Sequence, residues 1–223
     1  MIERMTSELR PWQPGEPVSL ETRRLVVRTF TTADVDAHVL RWSADPAVAE
    51  NLWHPPMPPE RYFAGLVGAS DQRTRFTFII VHRGTERAIG YIKLQIDPNR
   101  RTQTPSVALG EREYWNLELG TEAVRAVQRF AFEQLGVERI ESRVYTQNRK
   151  VRERLLRFGY GEVDVLSEIV PGRALRKVHV YGIEKESWLA RAPEIDARLA
   201  ALPDVPSSAL ESKALDAPRS EDS

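Results

Sequence analysis

The stretch that decides the fold reads Gly110-Glu111-Arg112-Glu113-Tyr114-Trp115-Asn116-Leu117-Glu118-Leu119-Gly120-Thr121-Glu122-Ala123. It follows an apolar segment, Ser106-Val107-Ala108-Leu109, whose composition predicts a strand. It leads into residues 121–135, where apolar side chains recur on one helical face until Gly136 supplies a stop. A loop that runs from a strand into a helix presents free backbone N–H groups at the positive end of the helix dipole. This stretch therefore predicts a binding site for an anion.

The rest of the chain alternates predicted strands and helices on both sides of this loop. The strands are expected at residues 25–30, 76–82, 88–96, 106–109, 139–146, 163–170 and 175–183. The helices are expected at residues 35–42, 62–67, 121–135 and 150–158, and Pro171-Gly172 is expected at the turn of the last hairpin. This order predicts an α/β domain whose mixed sheet carries helices on both faces.

The chain is expected to hold one folded domain with a less ordered segment at each end. Residues 1–19, which contain three prolines, predict an irregular arm, and residues 20–189 predict the domain. Residues 190–223 are rich in Ala, Pro, Ser and charge. That composition predicts a mostly disordered tail with a short helix near residues 195–202.

Charge and residue usage exclude several classes of function. Lys plus Arg and Asp plus Glu are both 32, so the chain lacks the basic excess of a typical nucleic-acid binder. The absence of cysteine excludes disulfides, thiolate metal sites and a thiol nucleophile. No His, Asp or Glu cluster has metal-ligand spacing, so no metal site is expected. Because the sequence has neither a signal peptide nor an apolar run of about 20 residues, it predicts a cytoplasmic protein without a membrane partner.

Four further motifs accompany the loop along the chain. They are Leu20-Glu21-Thr22-Arg23-Arg24-Leu25-Val26-Val27-Arg28, Asp45-Pro46, Asn148 followed by Gly159-Tyr160, and Gly182-Ile183 followed by Ser187-Trp188. Together with residues 110–123, which are similar to "IGEPEYWGxGYGTEA", they resemble the GNAT N-acetyltransferase superfamily, in the branch of the ribosomal-protein alanine and spermidine acetyltransferases. The resemblance covers nearly all of the predicted domain. It implies the GNAT fold, an α/β structure with a mixed, mostly antiparallel central sheet flanked by helices on both faces.

The resemblance also implies a site for acetyl-CoA, the co-substrate of the family. In the family, a strand before the loop splays from its neighbour and pairs with pantetheine. The loop wraps the pyrophosphate, and an asparagine hydrogen-bonds the donor near its thioester. The residues at the matching positions are Val107, Ala108 and Leu109 for pantetheine, Trp115, Asn116, Leu117, Glu118, Leu119, Gly120 and Thr121 for the pyrophosphate, and Asn148 for the thioester end.

Five residues depart from the family's pattern. The pattern has glycine at positions 116 and 118, and Val151, Leu155 and Lys177 also differ from it. Asn116 tolerates a positive φ, whereas the Glu118 carboxylate would oppose a phosphate. At ~5 Å and an effective dielectric near 20 that repulsion costs roughly 3 kcal/mol, against about 1 kcal/mol if the side chain turns into water. The sequence leaves open which way Glu118 points. Leu155 stands where many GNAT enzymes place a tyrosine that protonates the leaving thiolate.

Candidates for catalysis follow from the chemistry of amine acylation. Glu111 and Glu113 are the acids expected nearest the thioester, where a carboxylate accepts the proton of the attacking amine; the alternative is two solvated loop carboxylates. His54 borders the acceptor groove of related enzymes and is expected to be a structural histidine. His179, on a predicted strand, is not expected to be catalytic. A basic stretch at residues 143–157 either binds the CoA 3′-phosphate or RNA, or is a solvated helix face.

The resemblance implies an N-acyltransferase that moves an acetyl or other acyl group from acyl-CoA to a primary amine by direct attack. The acceptor is expected to be a small-molecule amine or a protein N-terminus that enters between the two early helices and the last hairpin. Two alternatives stay open: a non-catalytic GNAT-fold protein that binds a ligand, and a transferase with a non-CoA donor such as aminoacyl-tRNA. Relatives often dimerise through a sheet edge, so a homodimer is compatible with the resemblance.

Overall fold

A computed structural model describes residues 12–49, 57–99, 101–169 and 175–204. The strands are β1 (Ser19–Glu21), β2 (Leu25–Thr29), β3 (Arg75–His82), β4 (Arg87–Asp97), β5 (Thr102–Leu109), β6 (Arg139–Tyr145), β7 (Gly161–Glu168) and β8 (Arg176–Glu184). The helices are α1 (Ala37–Ala44), α2 (Pro46–Ala49), α3 (Pro59–Gly68), α4 (Leu119–Gln134), α5 (Arg149–Arg157) and α6 (Lys185–Ala200). None of the helices in the described ranges has the length and apolar character needed to cross a bilayer.

The eight strands form one sheet in the order β1-β2-β3-β4-β5-β6-β8-β7. All neighbours are antiparallel except β5 and β6, which are parallel. This pair is joined only at its start, where Thr102 lies opposite Arg139 and Gln103 opposite Ile140. Beyond these residues the ladder between β5 and β6 ends, and a gap opens inside the sheet. The predicted mixed, mostly antiparallel sheet is confirmed.

Helices cover both faces of the sheet. Alternate side chains of β3 point in opposite directions, so this strand packs against both helical layers. Phe78 belongs to the same buried cluster as Ala123 of α4. Its neighbour Ile79 points the other way and belongs to a second cluster with Trp42 of α1 and Phe63 of α3. The predicted α/β layering is therefore confirmed, with a separate apolar core on each side.

The loop at residues 110–123 is tied to the sheet and to the first helices by ion pairs. Arg24 Nε, just before β2, donates to Glu122 Oε2 at 2.7 Å, and both side chains are buried. Arg112 Nε donates to Asp45 Oδ2 at 2.8 Å. That hydrogen bond lowers the pKa of the Asp45 carboxyl. Three of the motifs that carry the family resemblance thus contact one another in space.

Most of the predicted elements are present, with bounds that differ by a few residues. The hairpin turn at Pro171-Gly172 lies outside the described residues. Strand β1 and helix α2 were not predicted, because three or four residues are too few to show a periodic pattern.

Helix α6 crosses the boundary that the sequence predicts between residues 189 and 190. Ile195 and Leu199 on this helix are each 7% exposed, so the packed structure continues past the expected start of the tail. At the other end, Trp12 lies in the predicted arm and packs edge-on against Phe130 of α4, with ring centroids 5.5 Å apart. Residues 205–223 lie outside the described ranges.

Candidate functional site

The gap between β5 and β6 opens into a cavity of about 740 Å³. On the side of α4 and α5 its wall includes Gly120, Thr121 and Arg154. On the opposite side it includes Leu66 of α3 and Lys93 of β4. The cavity therefore passes through the sheet from one helical layer to the other. Such a passage can hold two reactants that enter from opposite faces.

The residues predicted to hold the donor divide into two groups. Those that line the cavity are Val107, Gly120, Thr121 and Asn148. Those that do not line it are Ala108, Leu109, Trp115, Asn116, Leu117, Glu118 and Leu119. The predicted roles of the second group use backbone N–H groups, so a buried side chain such as that of Leu119 is compatible with them.

The backbone of the loop adopts the conformation for which the family uses glycine. Asn116 has φ 63° and Glu118 has φ 59°, both in the left-handed region. An L-residue pays roughly 1–2 kcal/mol there, less for asparagine. The loop thus keeps the shape that the family pattern implies, although both glycines have been replaced.

Glu118 is the residue that caps α4, but its carboxylate does not cap the helix backbone. It accepts no hydrogen bond from a backbone N–H of the first turn. Instead Thr121 Oγ1 donates to Glu118 Oε2 at 2.6 Å, and Arg198 Nη2 of α6 lies 3.3 Å from Glu118 Oε1. The orientation that the sequence left open is therefore towards α6.

The residues on α5 frame the same end of the cavity. The Asn148 side chain caps α5 by accepting from Val151 N at 3.4 Å. Arg154 Nη1 donates to Thr121 Oγ1 at 3.2 Å, and burial lowers the pKa of this guanidinium. Leu155 lines the cavity and is 8% exposed, so the wall has no acid at this position.

Glu111, one of the two predicted bases, does not line the cavity. Its carboxylate accepts from Trp42 Nε1 at 2.6 Å and from Arg87 Nη2 at 2.9 Å, and His38 Nε2 lies 3.2 Å away. Burial raises the pKa of Glu111, while the Trp42 hydrogen bond opposes that shift. The geometry is that of a buried carboxylate that fixes the end of β5 against α1.

Glu113 and His179 also lie away from the cavity. Glu113 does not line it and pairs with Arg87 at 3.2 Å. His179 pairs with Glu162 of β7 at 2.8 Å and is not a lining residue. His54 lies outside the described residues. No group of three or more His, Cys, Asp or Glu in the described ranges is arranged to hold a metal ion.

The basic stretch at residues 143–157 does not form one continuous cationic face. Arg149 pairs with Glu153 at 2.6 Å, and Arg143 pairs with Glu168 at 3.2 Å. Arg152, by contrast, donates to the hydroxyl of a tyrosine on β8. These contacts favour a locally neutralised surface over a nucleic-acid site.

Lys93 and Tyr145 are two of the lining residues that the sequence pattern did not single out. Lys93 interrupts the apolar run Tyr91-Ile92-Lys93-Leu94, and that lone charge was a usable signal. Burial lowers the pKa of its ammonium, which has no hydrogen bond or ion pair to another described residue. Tyr145, at the end of β6, is 4% exposed and lines the cavity. Nothing in the sequence around Tyr145 indicated that its side chain lines a cavity.

Comparison with known proteins gives a family match over most of the domain. The family model of the acetyltransferase (GNAT) domain matches residues 24–160, which run from the start of β2 to the end of α5. No curated protein matches the sequence.

Solved structures are similar over most of the chain. A candidate acetyltransferase from T. thermophilus is 25% identical with a TM-score of 0.70, covering 81% of this chain and 96% of that one. A GCN5-related N-acetyltransferase from Brucella melitensis is 20% identical with a TM-score of 0.73, covering 92% and 97%. A ribosomal-protein-S5-alanine acetyltransferase from Vibrio fischeri is 18% identical with a TM-score of 0.63, covering 77% and 98%.

Proposed function

The chain belongs to the GNAT acetyltransferase family, and from that premise we propose that it moves an acetyl group from acetyl-CoA to a primary amine inside the cavity between β5 and β6. The observation that carries this proposal is the break in the ladder after Gln103 and Ile140. An interrupted ladder leaves the N–H and C=O groups of alternate β5 residues beyond Gln103 available on the side of the gap. The amide groups of a pantetheine arm have the chemistry to satisfy them.

The phosphates of the donor would lie at the N-terminus of α4. Gly120 and Thr121 line the cavity there, and the first N–H groups of the helix carry a partial positive charge. Arg154 adds a guanidinium to the same wall. A diphosphate would therefore meet backbone donors and a cation together.

The acceptor would enter from the opposite face. Leu66 of α3 and Glu168 of β7 line the cavity on this side, as expected for entry between the early helices and the last hairpin. The neutral amine nitrogen attacks the thioester carbonyl carbon, the carbon–sulfur bond breaks, the nitrogen loses one proton to water and the thiolate gains one. A small amine and a protein N-terminus both fit this chemistry, and the resemblance to the ribosomal-protein branch favours the latter.

We assign proton delivery to the leaving thiolate to Tyr145, since Leu155 has no proton to give. Tyr160 also lines the cavity, and its hydroxyl accepts from Gln128 Nε2 at 3.0 Å within the buried cluster on the α4 face. Burial raises the pKa of Tyr160. Tyr160→Phe is the matched control, because it removes a second phenol from the same cavity wall.

The test combines donor binding with a kinetic comparison of two variants. Calorimetry should detect micromolar binding of acetyl-CoA, and acetylation of amines and peptide N-termini should be measured on the same protein. Tyr145→Phe should lower kcat by roughly 10²-fold with the donor Kd unchanged, whereas Tyr160→Phe should leave kcat within about threefold of the wild type. Absence of acetyl-CoA binding by the folded wild type would overturn the proposed function. Equal kcat values for the two variants would overturn the role of Tyr145 alone.

A further inference from the structure

Helix α6 lies beyond residues 24–160, which the family model matches, yet it contacts the loop at the head of α4. Arg198 on α6 makes that contact, with Nη2 3.3 Å from Glu118 Oε1. The Arg198 guanidinium also lies 5.4 Å from the ring centroid of Phe158, which closes α5. One side chain of α6 thus touches both elements that frame the donor end of the cavity.

The Glu118 carboxylate is held from two directions. Thr121 Oγ1 donates to one oxygen at 2.6 Å, and Arg198 approaches the other. Neither oxygen accepts from the backbone of the first turn of α4. Glu118 is also absent from the cavity wall, although Gly120 and Thr121, two and three residues further on, belong to it.

We propose that Arg198 is a positioning residue that holds the Glu118 carboxylate away from the first N–H groups of α4 and so keeps the diphosphate site open. This inference rests on the proposed function. The Glu118 carboxylate lies 2.6 Å from the hydroxyl of Thr121 in the first turn of α4, whose free N–H groups attract a carboxylate. Without Arg198, the carboxylate would turn to cap them and repel the donor. Glu118 can then occupy a position where the family has glycine, because Arg198 of α6 supplies the opposite charge.

The charges around the loop support this arrangement. Arg154 donates to Thr121 Oγ1 at 3.2 Å, so Thr121 connects the second guanidinium to the carboxylate. Arg198, Arg154 and Glu118 together carry one net positive charge at the N-terminus of α4, where Glu122 is already paired with Arg24. This net positive charge attracts a diphosphate when Arg198 holds the Glu118 carboxylate in place.

The test is a double-mutant cycle on the donor Kd. Arg198→Ala should weaken acetyl-CoA binding roughly tenfold when Glu118 is present, and less than about twofold in the Glu118→Gln background. Arg129→Ala is the matched control, because it removes a different α4–α6 ion pair, to Asp196. It should leave the Kd unchanged. An equal loss in both Glu118 backgrounds would mean that Arg198 binds the donor directly and would overturn the inference, as would no loss in either.

A second readout needs no donor. The amide N–H resonances of Gly120 and Thr121 should shift downfield in Arg198→Ala, because the released carboxylate caps them, and should not shift in Arg198→Ala with Glu118→Gln. Unchanged resonances in the single variant contradict the positioning role. This readout also separates two failures: a wild type that binds no acetyl-CoA overturns the proposed function, while the amide shifts still decide whether Arg198 restrains Glu118.

Discussion

At the scale of single residues, Glu111 shows how a candidate base becomes a structural carboxylate. Its place just after β5 made it an acid expected near the thioester. In the folded chain it is 8% exposed and is surrounded by donors on Trp42, Arg87 and His38. A carboxylate with those partners is stabilised where it stands and does not reach the cavity. These contacts hold the end of β5 against α1.

The prediction at this scale concerns Glu111→Ala. Removing the carboxylate leaves the buried indole N–H of Trp42 without its acceptor, which should lower the free energy of unfolding by about 2–3 kcal/mol. The value of kcat should stay within about threefold of the wild type for the folded fraction, whereas loss of a general base would cost 10²–10⁴-fold. Chemical denaturation and initial-rate assays measure the two effects.

Glu113→Ala is the control for this prediction. Its contact is with the half-exposed Arg87, so the expected loss is about 0–1 kcal/mol. A large fall in kcat with unchanged stability for Glu111→Ala would restore the base assignment.

At the scale of elements, the end of β5 is joined to α1 by a close approach that only glycine permits. A Cβ at Gly110 would lie 2.1 Å from Trp42 Cγ. The indole is 1% exposed and packs between α3 and β4, so it has no room to retreat. The strand that is proposed to pair with pantetheine is therefore positioned by the packing of a tryptophan on Gly110.

Gly110→Ala is expected to destabilise the protein by about 2–3 kcal/mol, because the methyl group overlaps Trp42. Gly65→Ala is the control: nothing lies within 4 Å of its Cβ, and it sits inside α3. That variant should be neutral or more stable by about 0.5–1 kcal/mol, as usual for glycine replaced in a helix. Thermal and denaturant unfolding of both variants measure the difference. Equal stabilities would contradict the close packing at position 110.

At the scale of the whole molecule, the break between β5 and β6 determines what the fold can bind. Six of the seven neighbouring strand pairs are ordinary antiparallel ladders, and the remaining pair closes only at Thr102 and Gln103. The result is a sheet that is continuous at one end and open at the other, with a core on each face. The gap is therefore a consequence of strand direction and spacing and not of any one side chain.

Donor binding should fill this gap, because the pantetheine arm would form hydrogen bonds with the backbone of β5. Peptides that cover residues 104–110 should then exchange amide hydrogens at least roughly tenfold more slowly with acetyl-CoA than without it. Peptides from β2 and β3, where the ladder is already complete, should be unchanged. Hydrogen exchange read by mass spectrometry checks this, and protection confined to other regions would contradict donor binding in the gap.

The local pattern of the sequence determined most of the elements. Apolar periodicity and turn residues predicted the long strands and helices, and the loop from Gly110 to Ala123 predicted an anion site at a helix N-terminus. These features depend on residues that are neighbours in the chain, so a single sequence contains the information.

Tertiary structure alone decided which side chains reach the site. Glu118 points to α6 because Arg198, 80 residues later in the chain, lies beside it (198 − 118). The hydrogen bond from Trp42 holds the Glu111 carboxylate outside the cavity. Lys93 and Tyr145 lie on different strands, and both line the cavity. The physical reason is that a charge takes its orientation from the nearest opposite charge or dipole in space. Sequence separation does not measure that distance. The sequence therefore predicted that the loop lies between a strand and a helix, but not which charges surround it.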